Sequence, residues 1–528
     1  MKKLALSFSL LYVFAFIVIA VSLPLSKFLT SIGIFLLAAI WLAGGKFKNK
    51  FQLAKNSVNL QLFLVIYILH LIGLFFSTDY KYGLHDLQMK LPLLVLPIMM
   101  VTIDPLSPKF KRALFGFFIL ALFVTAAIGT LIFMGYGRKT VTDAREISVF
   151  ISHIRLSLMV NMGIFTGLWM IVNKEDRLFR LETTLISILI VLLCGFLFLL
   201  KSLTGIVVFI FLIIFSILWL SGKLHNKSLK YLLIITGVLI ILFITGYTTR
   251  CISKFNYVEK IDFSKLEKQT ISGNAYTHDT SKNNVENGHY VWINLSEEEL
   301  KNSWNQRSNC KYGGADKKGQ EIKFTLIRYL ASRGLTKDSA GVSKLSVSDV
   351  SLIENGIANY IYGNKWDMYP YIYRVLWEID TYKKGENPSG HSIAQRWIYL
   401  NIAKDIIKEH FWFGVGTGDV QKEYNKIYDT RYRNIPEHWR RRAHNQFLTF
   451  WITFGIIGLV IILLAFFIPV ARRLRSSGYL GYIFLLISIL SMLNEDTVET
   501  QAGASFIAFF YCIFFLMQKI DENKTSQV

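Results

Sequence analysis

Apolar stretches of roughly 17 to 24 residues recur along the chain, each about the length a helix needs to cross the hydrocarbon of a bilayer. In lipid, backbone N–H and C=O groups must find partners inside their own segment, so such stretches fold as helices. With 528 residues, 53% apolar and only 18% charged, the chain is too hydrophobic for one soluble core and too long for one domain. The expected fold is an all-α polytopic membrane protein of about twelve transmembrane helices. They lie near 5–22, 28–44, 58–76, 89–103, 113–134, 156–172, 183–200, 203–220, 230–248, 446–470, 478–494 and 503–518. The fourth is short and carries Pro92 and Pro97.

Basic residues beside a span are retained on the cytoplasmic side. Lys2 and Lys3, then Lys46, Lys48 and Lys50, then Lys109, Lys111 and Arg112, then Lys174, Arg177 and Arg180, then Lys223, Lys227 and Lys230, then Arg472, Arg473 and Arg475 fall in alternate loops. Both termini are therefore expected in the cytoplasm. A cleaved signal peptide is disfavoured, because no small-x-small site follows the first apolar run and Pro24 and Lys27 lead directly into another. The division expected is a transmembrane bundle over 1–248, a mixed α/β periplasmic domain over 249–443 inserted before the last three spans, transmembrane helices over 444–520, and a cytoplasmic tail over 521–528. In the hydrophilic domain, turns are expected at Ser272-Gly273-Asn274 and over 385–390. Tyr290–Leu295 reads as a strand, Ser296–Trp304 as a helix with a Ser cap and Glu299 three residues on, and Ile393–His410 as an amphipathic helix.

The formal charge of +22 is largely this cytoplasmic bias, and nucleic acid is not an expected partner of so intramembrane a chain. Basic residues on the outer side are a different matter: Arg138, Lys139, Arg145, Arg155, Arg396 and the run Arg440-Arg441-Arg442. Guanidinium forks hold phosphate or pyrophosphate bidentately and stay charged; the bland alternatives are solvated loops or contacts to anionic headgroups of the surrounding lipids. Arg155 stands out because it enters a span, where an arginine is costly without a partner. His153 precedes it by two residues. His444 and Asn445 open a membrane-length helix, with nine residues and then Gly455 and Gly458, and put a proton acceptor beside the arginine run. The outer turn Glu495-Asp496-Thr497-Val498-Glu499 offers Glu495 and Glu499 to hold an arginine or orient the histidine, unless they are solvated loop acids. Cys194 and Cys512 read as packing residues. An oxidising compartment would allow Cys251 and Cys310 to pair. No Cys/His set has metal-ligand spacing, and no P-loop or dinucleotide fingerprint is present.

An apolar N-terminal half, one large outer segment, a helix from Arg396 to Ala403, then Gly414-Val415-Gly416-Thr417-Gly418-Asp419, then His444-Asn445 with Gly455 and Gly458, together resemble the O-antigen ligase family of bacterial inner membranes. The likeness is strongest over about 390–470. It implies a GT-C-like helical bundle and a cofactor- and metal-independent glycosyltransferase of lipopolysaccharide biosynthesis. Such an enzyme moves a glycan from undecaprenyl pyrophosphate to a hydroxyl of the lipid A core at the periplasmic face. On that reading His444 is the base, the alternatives being that it hydrogen-bonds a phosphate or merely caps the helix, with Arg396 and Arg155 beside it as catalytic residues. Asn445, His153, Lys201, Arg440, Arg441, Arg442, Glu495 and Glu499 line the substrate. Many relatives carry an arginine in the turn that here reads Lys201-Ser202-Leu203-Thr204-Gly205; Lys201 is the available cation but lacks the fork. An O-antigen or exopolysaccharide polymerase, or a protein O-oligosaccharyltransferase, would share the donor. A non-enzymatic transporter or scaffold is less favoured, since transporters show internal repeats and midplane polar breaks that are not evident here.

Overall fold

The computed structural model describes residues 2–136, 144–173, 179–364, 367–384 and 392–517, the side chains of 2–8, 144 and 392–394 apart. Arg138, Lys139, Lys174, Arg177, the turn 385–390 and the tail 521–528 lie outside the described residues. The chain divides into two compact units, one of residues 1–234 with 395–528 and one of residues 235–394. Residues 395–443, the last part of the hydrophilic segment, thus pack with the apolar helices.

The first unit is helical throughout, and the chain is a multi-pass membrane protein. Eight helices among the described residues are long and apolar enough to cross a membrane, or up to nine if the bent pair Lys27–Ala43 and Phe47–Asn56 is one span. The shorter apolar helices Ser9–Leu25 and Gln501–Leu516 stand beside them. Phe35 and Phe75 are both 72% exposed, a pattern suited to hydrocarbon and untenable in water at this density of apolar side chains. The interior is built mainly of large apolar side chains such as Phe63, Phe118, Phe165 and Phe484, with small and polar residues where helices approach most closely. Gly205 lets the helix Leu203–Lys223 press on His153–Val172, since a Cβ there would sit 2.4 Å from Ser157 Cβ. Asn161 Nδ2 donates to Gly205 O at 3.0 Å across the same contact.

The fourth span starts earlier than hydropathy suggests. Tyr80–Lys90 is already helical and runs through a bend into Pro92–Val101, with Pro92 at the first turn where its missing N–H costs nothing. Lys81, His85, Asp86 and Lys90 conceal this start in an average over the sequence.

Gln446–Asn494 is a hairpin rather than one rod. A straight helix of 49 residues would be about 73 Å long, yet Asn445 Nδ2 donates to Leu493 O at 2.9 Å. The reversal falls at Gly478, whose φ of 66° and ψ of −163° are non-helical. The first arm breaks again at Gly455, φ 66°. That break frees the carbonyls of Ile452 and Thr453, and they accept from Val415 N and Gly416 N, both at 2.9 Å. Ile456 N, released in turn, donates to Phe411 O at 2.8 Å. Asp419 closes the loop by accepting from Thr78 N at 2.7 Å and Asp79 N at 2.9 Å. The glycine run is therefore a joint between helices, in which Ile452 O, Thr453 O and Ile456 N, freed by the break, find partners.

The second unit is mostly helical, with one two-stranded hairpin, Val285–Glu286 against His289–Tyr290. The strand expected over Tyr290–Leu295 does not form. Val291 and Ile293 do alternate into the core at 2% and 3% exposure, but beyond Tyr290, which ends the hairpin, the stretch has only isolated bridges at Leu295, to Thr277 and to Lys337, in place of a partner strand. The helix after Ser296 is Glu297–Arg307, and its expected capping pair is absent. Glu299 is engaged elsewhere, by Asn274 Nδ2 at 2.7 Å and Ser339 Oγ at 2.6 Å. All four cysteines are free. Cys251 packs with Ile361, Tyr369 and Tyr373, whereas Cys310 flanks the separate core of Leu300, Trp304 and Leu326, so the pairing open to them is not made.

Candidate functional site

The acidic turn after Asn494 gathers most of the expected site residues. It follows the second arm of the hairpin, and that reversal brings it back beside His444 and Asn445 at the mouth of the first arm. Asn445 caps that arm, its Oδ1 accepting from Leu448 N at 3.1 Å. His444 is held with φ 50°, a left-handed backbone rare outside glycine and costly enough to require support from its surroundings.

Glu495 lies between the two residues singled out for chemistry. Its Oε1 accepts from Arg396 Nη2 at 2.7 Å, and its Oε2 is 3.3 Å from His444 Nδ1. Burial pushes the Glu495 carboxyl up. The bond to His444 and the charges of His444, Arg396 and Arg155 outweigh this and hold it below the usual carboxylate value. An ionised carboxylate only accepts, so the facing Nδ1 is the donor of this contact, and in the neutral ring Nε2 is then the acceptor. Arg396 is fixed further by Asn494, donating from Nη1 to its Oδ1 at 2.6 Å and its carbonyl at 3.2 Å. Asn494 Nδ2 in turn donates to Thr204 Oγ1. This ties the turn bearing Lys201 to the same end of the bundle; Lys201 itself is half-buried at φ 49°. Tyr399, one turn along the Arg396 helix, sets its ring 5.9 Å from that of His444 and donates to Trp439 O at 2.7 Å.

Arg155 approaches from the helix His153–Val172, donating from Nη2 to Asp496 O at 3.4 Å. Its buried Nε has no partner among the described residues, a spare donor beside the acidic turn. His153 heads the same helix, partly exposed. The arginine run divides three ways. Arg440 pairs with Asp429 at 2.6 Å and lies over the Tyr428 ring; Arg441 is exposed, its carbonyl accepting from Tyr428 Oη at 2.8 Å. Only Arg442 turns inward, to Glu499 Oε2 at 3.3 Å and to the Tyr82 hydroxyl.

Glu499 thus holds an arginine, as the sequence allowed, but it is also the centre of a wider network whose other members sequence reading missed. Lys90 Nζ bonds to it at 2.7 Å and to Asp86 at 2.6 Å, and Gln446 Nε2 donates to its Oε1 at 2.9 Å. Burial opposes ionisation of Glu499, but the charges of Lys90 and Arg442 hold it far below the carboxylate range. Asp496 behaves oppositely: burial and the charge of Glu499 push it up, against a bond from Thr449 Oγ1 at 2.7 Å. The i, i+4 spacing of Asp86 and Lys90 was the one sequence signal for this group.

A search of curated proteins finds no match to the chain. Residues 368–463 match the family described as O-antigen ligase, whose members are glycosyltransferase-like ligases and polymerases. The match takes in Arg396, the glycine joint, the arginine run, His444 and Asn445, while Arg155, Lys201, Glu495 and Glu499 lie beyond it. Over that segment, residues 368–463, the resemblance read from the sequence holds, and the family it matches is that of the O-antigen ligases.

Proposed function

We propose that the protein transfers a glycan from undecaprenyl pyrophosphate to a hydroxyl of the lipid A core, at the periplasmic face of the bacterial inner membrane. The observation that carries this reading is the single carboxylate, Glu495, holding Arg396 and His444 together, with the unpaired Nε of Arg155 beside it. The acceptor hydroxyl gives its proton to His444 Nε2 as its oxygen attacks the anomeric carbon. The bond from that carbon to the pyrophosphate oxygen breaks on the opposite face, so the centre inverts. Charge developing on the pyrophosphate is met by the remaining N–H groups of Arg396 and by Arg155, preorganised by their contacts to the acidic turn. Asn445, His153, Lys201, Glu499 and the 440–442 run shape the surroundings, and in this reading the fixed guanidinium charges make the reaction metal-independent.

Purified wild type and His444→Ala, given undecaprenyl-pyrophosphate glycan and lipid A-core in detergent with EDTA, test the proposal by glycan transfer on a gel. Transfer by the wild type alone is expected. Lengthening of the lipid-linked glycan without transfer to the core would make the enzyme a polymerase, and equal transfer by His444→Ala would remove the base.

A further inference from the structure

The helix Lys227–Asn256 is basic at both ends, with Lys227 and Lys230 at one and Arg250 and Lys254 at the other. Retention of positive charge on one side of the membrane accounts for one end only. Arg250, Ser253, Lys254 and Tyr257 are spaced i, i+3, i+4 and i+7, so they share a face that continues the helix beyond its apolar part. That face is one wall of an open cavity of about 760 Å³, lined also by Asn287, His289, Ser332, Arg333 and Tyr360. Pockets for small ligands commonly fall between about 300 and 1,000 Å³.

The charges in this cavity are poorly answered by the protein. Lys254 Nζ lies 4.1 Å over the Tyr369 ring, and neither it nor Arg250 has an ion-pair partner among the described residues. Arg333 reaches Asp349 only at 3.4 Å and sits over the Tyr360 ring. His289 alone is closely matched, by Glu259 at 2.6 Å. Two exposed cations without ion-pair partners among the described residues, a third loosely paired, and the rings of Tyr257 and Tyr360 combine attraction for an anion with flat apolar faces for the C–H side of a pyranose.

We propose that the cavity binds an anionic saccharide, one bearing phosphate or carboxylate groups. The saccharide part rests on the glycosyltransferase reading above; the anionic part rests on the cavity alone. Full-length protein in neutral detergent would be titrated with a phosphorylated core oligosaccharide freed of its acyl chains, with the same oligosaccharide dephosphorylated, and with inorganic phosphate. The phosphorylated form is expected to bind at least tenfold more tightly than either other probe. Arg250→Ala and Lys254→Ala, both exposed and so compatible with folding, should each weaken it at least tenfold, while Lys282→Ala, outside the cavity, should leave it unchanged. Equal binding of the dephosphorylated form, equal binding of phosphate alone, displacement by equimolar phosphatidylglycerol, or full affinity in both cavity variants would overturn the proposal. Binding is read without turnover, so failure of glycan transfer would sink the proposed reaction and leave this inference to its own result.

Discussion

Replacing Glu495 with glutamine keeps the shape of the side chain and removes the property on which the site depends. A carboxylate accepts on both oxygens, whereas an amide accepts on one side and donates on the other. If the amide oxygen stays on Arg396, its NH2 faces His444 and donates to Nδ1. The ring proton then moves to Nε2 and the base is lost, an effect of about 100- to 10,000-fold by the usual contribution of general-base catalysis. If the oxygen turns to His444, the NH2 confronts the Arg396 guanidinium and a charge-assisted bond worth about 1.5–3 kcal/mol disappears. At about 1.4 kcal/mol per tenfold, that alone is roughly 10- to 150-fold. Either way kcat for glycan transfer is expected to fall at least tenfold, with the protein's melting temperature followed in parallel to separate chemistry from folding. A well-folded Glu495→Gln variant with kcat within threefold of the wild type would refute the argument that this carboxylate sets the histidine tautomer.

Arg396→Lys should also damage transfer, since one ammonium cannot hold Asn494 and Glu495 together and still offer a fork to pyrophosphate; undiminished kcat would remove Arg396 from the site. Glu499→Gln leaves Lys90 and Arg442 buried with less charge to oppose them, and a loss of about 3–5 kcal/mol is expected as a fall in melting temperature. Gly455→Ala puts a Cβ 2.1 Å from the Trp412 carbonyl at a φ of 66°, so the joint should open and folded yield should collapse; normal yield would show that the break is dispensable. Glu495 and Glu499 are depressed in the fold, so their stabilisation is complete above the unfolded value near pH ~4.3 and is lost as the pH falls through their folded values. Asp496, raised in the fold, gains stability on protonation and opposes them. Melting temperature should therefore drop below about pH 4, less steeply in Glu499→Gln; parallel curves would contradict this assignment.

The features legible in the sequence were those whose cause is local. Hydropathy locates the helices, and His444-Asn445 could be placed at a helix mouth because an asparagine cap and the apolar run after it are neighbours in the chain. Burial alternation at Val291 and Ile293 was also legible, but a strand needs a partner, and the pairing partners of 290–295 are not written in that stretch. Lys90 and Glu499, 409 residues apart, meet only because the hairpin returns the acidic turn to the first bundle, and Glu299 abandons its cap for groups from Thr270 to Ser339. The role of the glycine run was hidden for the same reason: its backbone partners are Ile452 and Thr453, exposed by a break at Gly455 that only the folded chain reveals.

Arg396 stands two residues after the second unit ends, but its guanidinium is gripped wholly by Asn494 and Glu495 of the hairpin. The sequence that delivers this arginine is thus released from any duty to aim it. An insertion between the last helix of the bundle and this anchor can grow, shrink or exchange its contents over generations while the reacting geometry stays put. Whatever the second unit binds is then free to diversify at a tempo of its own, without disturbing the grip of the hairpin on this arginine.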